Sequence, residues 1–145
     1  MSTTMYTAIA IVIVVGLIGL IVLRRRPKRL NTKRFNERWL KLQKNCSKRK
    51  TWHQAIVEAD ILLDEALKKR RYKGKTPGER LVAAQHALST NEAVWFGHKL
   101  RNRIEQEGLK RITKQETLEA LSGFRQALKD LGALQNEKQG PLSDD

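Results

Sequence analysis

His98, Arg101, Asn102, Glu105 and Gln106 are the residues whose types and spacing could do chemistry in this chain. On a helix, His98, Arg101 and Glu105 follow one another at i, i+3 and i+7 on one face, with Asn102 and Gln106 alongside. An imidazole can exchange a proton near neutral pH, and a guanidinium presents a planar fork to a carboxylate or phosphate. Beside a groove between helices, such a face could bind an anion or assist proton transfer. The same pattern also describes a solvated helix surface with an Arg101–Glu105 ion pair worth a few tenths of a kcal/mol. Taken on their own, these residues favour the solvated surface.

Other chemistries find less support. No dinucleotide fingerprint, P-loop, nucleophile elbow or HExxH motif is present. Gly74-Lys75-Thr76 looks superficially phosphate-binding, but it lacks the upstream glycine and the preceding strand. It reads as a helix stop followed by a cap. One cysteine, Cys46, and three dispersed histidines, His53, His86 and His98, provide no metal-ligand spacing, so neither a metal nor a cofactor is expected. The single cysteine also rules out an internal disulfide, in keeping with a reducing compartment.

The elements that must position the polar face are all helical. Thr51 with Gln54, Thr76 with Glu79, Ser89 with Glu92 and Thr113 with Glu116 have the spacing of capping boxes, each opening a helix. The first carries Trp52, Ala55, Ile56, Ala59, Leu62, Leu63, Ala66 and Leu67 on its apolar side, with Gly74 as its stop. The second is short, holds Leu81, Val82, Ala84 and Leu88, and has Pro77 at its first position. The third runs to about Glu107 and buries Ala93, Phe96, Gly97, Leu100 and Ile104. The fourth buries Leu118, Leu121, Phe124, Leu128 and Leu131, and ends at Gly132. No stretch alternates with period two, and the connections are short, which predicts an antiparallel four-helix bundle over residues 51–132. Residues 133–145 (from Gln135, QNEKQGPLSDD) read as a disordered tail.

Upstream, Met5–Leu23 is an uncharged apolar run of 19 residues within an N-terminal anchor, residues 1–23. As a helix it spans roughly 28 Å, close to the hydrocarbon thickness of a bilayer. The formal net charge of +14 is concentrated behind it. Residues 24–50 hold 13 Lys or Arg against one acid, Glu37, whereas the remainder of the chain is nearly balanced. Arg24, Arg25, Arg26, Lys28, Arg29, Lys33 and Arg34 are therefore the candidate contacts to anionic lipid headgroups or other phosphates. By the positive-inside bias, the N-terminus should lie outside a cell membrane and the domain in the cytosol. Within this juxtamembrane segment, Asn31 could cap a helix through Cys46 bearing Phe35, Trp39 and Leu42. That stripe suits either a membrane interface, with Trp39 at headgroup level, or docking on the domain behind it.

The segment 99–104 (KLRNRI), in the third helix of the expected bundle, resembles the core of HEPN domains. Residues 51–81 (TWHQAIVEADILLDEALKKRRYKGKTPGERL) look like the first half of such a bundle in bacterial proteins with an N-terminal anchor. The resemblance covers roughly residues 51–132. It implies an Arg followed by a polar residue, matched by Arg101 and Asn102, and a His four to six residues beyond, at a dimer interface acting on RNA. No His follows at that spacing, where Gln106, Glu107 and Gly108 stand instead, and Gln106 cannot shuttle a proton as imidazole does. The resemblance therefore implies a non-catalytic member.

These observations lead to an expectation: an all-α protein with a transmembrane helix over 5–23, a basic juxtamembrane helix within 24–50 and a four-helix bundle. Its expected role is a membrane-anchored binding or scaffold module with no enzymatic activity. The partners expected are anionic lipid, an unknown protein and a second copy of the chain. Alternatives are a membrane-tethered nucleic-acid-binding protein and a HEPN-type ribonuclease.

Overall fold

The computed structural model describes residues 3–135, and among them all regular structure is helical. The helices are α1 (Thr3–Arg24), α2 (Thr32–Asn45), α3 (Trp52–Lys69), α4 (Pro77–Ala84), α5 (Asn91–Gln106) and α6 (Lys114–Asp130). A single 3-10 turn, Arg49–Thr51, leads into α3. The tail expected beyond Gln135 lies outside the described residues, but Ala133 and Leu134 just before it are buried.

α1 has 22 residues, none of them buried. It is long and apolar enough to cross a membrane. The remaining helices share one core, in which α3, α5 and α6 pack against one another while α2 and α4 lie on α3. α3 supplies the largest share of that core, because Ala55, Ile56, Ala59, Leu62, Leu63, Ala66 and Leu67 recur at three and four residues and are all buried.

α2 docks through the stripe whose destination the sequence left open. Phe35, Trp39 and Leu42 are buried in the common core, and Asn31 caps the helix by accepting from the Arg34 amide at 3.2 Å. The Glu65 carboxylate then fastens α2 to α3 by accepting from Arg38, while also pairing with Lys69 at 3.2 Å. Trp39 is covered by the domain rather than left free on an outward face.

The helix ends follow the expected chemistry in part. Thr113 and Glu116 form the full reciprocal capping box, and Thr76 accepts from the Glu79 amide at 3.2 Å. Thr51 does not cap α3, since its hydroxyl donates to the carbonyls of Lys48 and Asn45 in the preceding turn. Ser89 does not cap α5 either. α5 starts at Asn91, and the Ser89 amide and hydroxyl both donate to Asp130 at the far end of α6, which ties the two helices together antiparallel. α3 is stopped by Arg71, at φ 64°, rather than by Gly74: the Tyr72 amide reaches back to Leu67 at 3.1 Å in a Schellman arrangement. Gly132 performs the same function for α6, at φ 76°.

Two expected core positions are on the surface. Leu118 and Val82 are 58% and 53% exposed, and α6 buries Thr117, Ala120, Gly123 and Ala127 around Phe124 and Leu128 instead. The reason is close approach. A Cβ at Gly123 would come within 2.6 Å of the Ala93 backbone, and one at Gly97 within 2.7 Å of the Phe124 ring. α5 and α6 meet through small residues, which turns the bulky Leu118 outward.

Candidate functional site

The polar face of α5 is organised by a carboxylate from another helix. Asp60, one turn after Ile56 on the apolar side of α3, is buried, with only 4% of its side chain exposed. It faces His98, whose side chain is 7% exposed, and His98 Nδ1 lies 3.1 and 3.2 Å from the two carboxylate oxygens. With the proton on Nδ1, Nε2 is left to accept from the Asn102 amide at 3.4 Å. The Trp95 ring meets the imidazole edge-on at a centroid distance of 5.8 Å, and the α-carbon side of Gly78 closes over Nε2.

Arg101 lies one turn further along. Its Nε is 3.5 Å from Asp60 Oδ2, an ion-pair distance without hydrogen-bond alignment, so this buried nitrogen has no hydrogen-bond partner. The guanidinium also pairs with Glu105 at 3.1 Å and donates to Asn102 Oδ1 at 3.1 Å. His98, Arg101, Asn102 and Glu105 thus come together as their spacing suggests. Gln106 does not join them: it is exposed at the last position of α5.

A second buried pair flanks the first. Asp64, one turn after Asp60, accepts from Arg80 Nε at 2.6 Å and from its second terminal nitrogen at 2.9 Å. The remaining terminal nitrogen of Arg80 donates to the Gly74 carbonyl at 2.7 Å, which holds the loop before α4 against α3. Burial pulls the Asp64 carboxyl upward, but hydrogen bonds and charge from Arg80 and Lys68 outweigh it and leave the group below its ordinary range. The same carboxylate raises Arg80 further above its ordinary value.

Between these pairs opens a cleft of about 350 Å³ lined by Asp60, Ile61, Asp64, Glu65, Lys68, Pro77 and Arg101. Three carboxylates face two cations there, so the cleft does not attract an anion to Arg101. Nor is the imidazole presented there as a base. The Asp60–His98 pair has the orientation of a general-base dyad, but its free nitrogen is covered by Asn102, Gly78 and Trp95 rather than presented to a substrate. The arrangement positions α3, α4 and α5 relative to one another through mutually paired charges.

Asp60, Asp64 and Arg80 were not among the residues singled out from the sequence. The signal was present nonetheless: two aspartates one turn apart, in register with Ile56, Leu63 and Leu67, are carboxylates on a core face and require partners.

The candidate phosphate contacts Arg24, Arg25, Arg26, Lys28, Arg29 and Lys33 are exposed along the segment joining α1 to α2 and the first turn of α2. Arg34 is also exposed and lies 3.7 Å from Glu65. No family model, curated protein or solved structure matches this chain.

Proposed function

We propose that this chain is a single-pass membrane protein with its N-terminus outside and its helical domain in the cytosol, acting there as a non-catalytic binding or scaffold module. In this reading α3–α6 form a four-helix bundle of the HEPN kind, with α2 laid on its side. Arg24, Arg25, Arg26, Lys28, Arg29 and Lys33 contact anionic headgroups, and a protein partner or a second copy of the chain engages the domain.

The observation that carries the reading is α1. Its apolar surface is wholly exposed, whereas the domain buries its own core without using it. Exposing so large an apolar surface to water is unfavourable, and a bilayer removes that cost. The basic residues that follow are placed to hold the adjoining segment at an anionic surface. The non-catalytic part rests on His98 and Arg101, both already engaged by Asp60, and on the exposed Gln106 at the position where the resemblance would require an imidazole.

Fractionation tests the anchor: the protein is expected to stay with membranes through alkaline carbonate, and its extraction would overturn the reading. Incubating the full chain with RNA tests the rest. No cleavage is expected, and cleavage abolished by Arg101→Ala would establish a ribonuclease instead.

A further inference from the structure

At the end of the domain remote from α1, a group of cations plays no part in the network just described. The turn Arg49–Thr51, the first turn of α3 and the segment before α6 enclose a cleft of about 340 Å³. It is lined by Arg49, Lys50, His53, Lys110, Arg111 and Ile112. No carboxylate lines it. Among the described residues none of its four cations forms an ion pair. Around Asp60, Asp64 and Glu65, by contrast, the cations are matched: Arg38 and Lys69 pair with Glu65, Lys68 and Arg80 with Asp64, and Arg101 with Asp60 and Glu105.

Cations gathered at a concavity without counter-charge repel one another, and low-dielectric walls focus their field outward. Two further observations point to an occupant. His53 Nε2 is covered from water and has no hydrogen-bond partner, which is unfavourable for a ring nitrogen. α3 also begins here without a side-chain cap, so the partial positive charge of its N-terminus adds to the field.

We propose that this cleft binds a phosphomonoester or diphosphate group carried by a soluble ligand. Arg49 and Arg111 supply planar forks matched to phosphate oxygens, Lys50 and Lys110 supply point charges, and the His53 ring, whose Nε2 is covered here, donates once it turns toward the ligand. Four converging cations suit a group bearing two or more negative charges better than a single carboxylate. The position of the cleft argues for a soluble source. It lies at the C-terminal end of α2, whose 14 residues separate it by about 21 Å from the end where α1 is joined. The site is independent of the Asp60–His98–Arg101 network.

The test is titration calorimetry of the full chain in detergent micelles with inorganic pyrophosphate and inorganic phosphate at matched ionic strength. Saturable one-site binding is expected, tighter for pyrophosphate. Arg49→Gln/Arg111→Gln should weaken it at least about tenfold, whereas Lys33→Gln/Lys41→Gln, which removes the same charge from α2, should change it less than about twofold. Circular dichroism of both variants should match that of the parent. Absence of saturable binding, or equal weakening in the two double variants, overturns the proposal. Two further arms separate the sources: nanodiscs with and without anionic lipid, and a short single-stranded RNA. If either binds through Arg49 and Arg111 while pyrophosphate does not, the soluble ligand is ruled out.

Discussion

At the residue scale, the domain depends on two aspartates one turn apart on α3. Asp64 sits opposite Arg80, whose side chain is 8% exposed, so removing the negative charge strands a buried guanidinium. Asp64→Asn is expected to lower stability by about 3–5 kcal/mol in chemical denaturation of the full chain. A loss under about 1 kcal/mol would mean that water reaches Arg80. Asp60 and Arg101 should differ sharply. Asp60→Ala leaves His98 Nδ1 without its acceptor and Arg101 without a buried ion-pair partner, a cost of about 1–3 kcal/mol or more. Arg101 is more exposed and meets α3 only through an ion pair without hydrogen-bond alignment, so Arg101→Ala should cost at most about 1 kcal/mol. Equal losses would show that Arg101, not His98, is the side chain Asp60 exists to hold.

At the element scale, the sequence shows which segments are helices more readily than how they approach one another. α3 was readable because its apolar positions are many and regular. α6 was misread at Leu118 because Leu118, Leu121 and Leu128 satisfy a helical stripe as well as Thr117, Ala120 and Ala127 do. What decides between the two stripes is the proximity of α5, which depends on Gly97 and Gly123 together and is not visible in either helix alone. Gly123→Ala should therefore cost about 1–3 kcal/mol by thermal unfolding, although alanine is the better helix former. The Ser89 and Thr51 caps failed for a related reason: both side chains found acceptors elsewhere, in Asp130 and in the turn after α2. The docking of α2 yields a direct comparison. Trp39→Ala, at a buried position, should cost about 3–5 kcal/mol, whereas Leu40→Ala, at an exposed one, should change stability by less than about 0.5 kcal/mol. Similar small effects for both would place α2 off the domain.

At the scale of the whole molecule, charge has two distinct uses. Along residues 24–33 and at the cleft near Arg111 it is unmatched and available, while around Asp60, Asp64 and Glu65 it is paired. The paired carboxylates imply a definite response to acid. Burial raises Asp64, Glu65 and Asp130, but in each case the opposing partners win: Arg80 and Lys68, Arg38 and Lys69, and Ser89 and Gln126 hold the three below their ordinary values of 3.8 or 4.5. A group depressed in the folded state contributes stability above its unfolded value and loses that contribution as pH falls through its folded value. Stability should therefore be nearly flat down to about pH 5 and decline below about pH 4, and Asp64→Asn should flatten that decline. An acid limb unchanged by the substitution would remove Asp64 from the explanation.

The docking of α2 also sets a length. Had the neck been loose, the domain could have ranged widely from α1. With Leu30 and α2 both folded into the core, only residues 25–29 connect the two freely, and five residues reach at most about 18 Å when fully extended. For a domain tethered to a bilayer in this way, any partner on the same surface is met at an effective concentration of the order of millimolar. A weak contact then suffices, one too weak to survive dilution of the domain free in solution, and lengthening the tether alone would loosen it without touching a single interface residue.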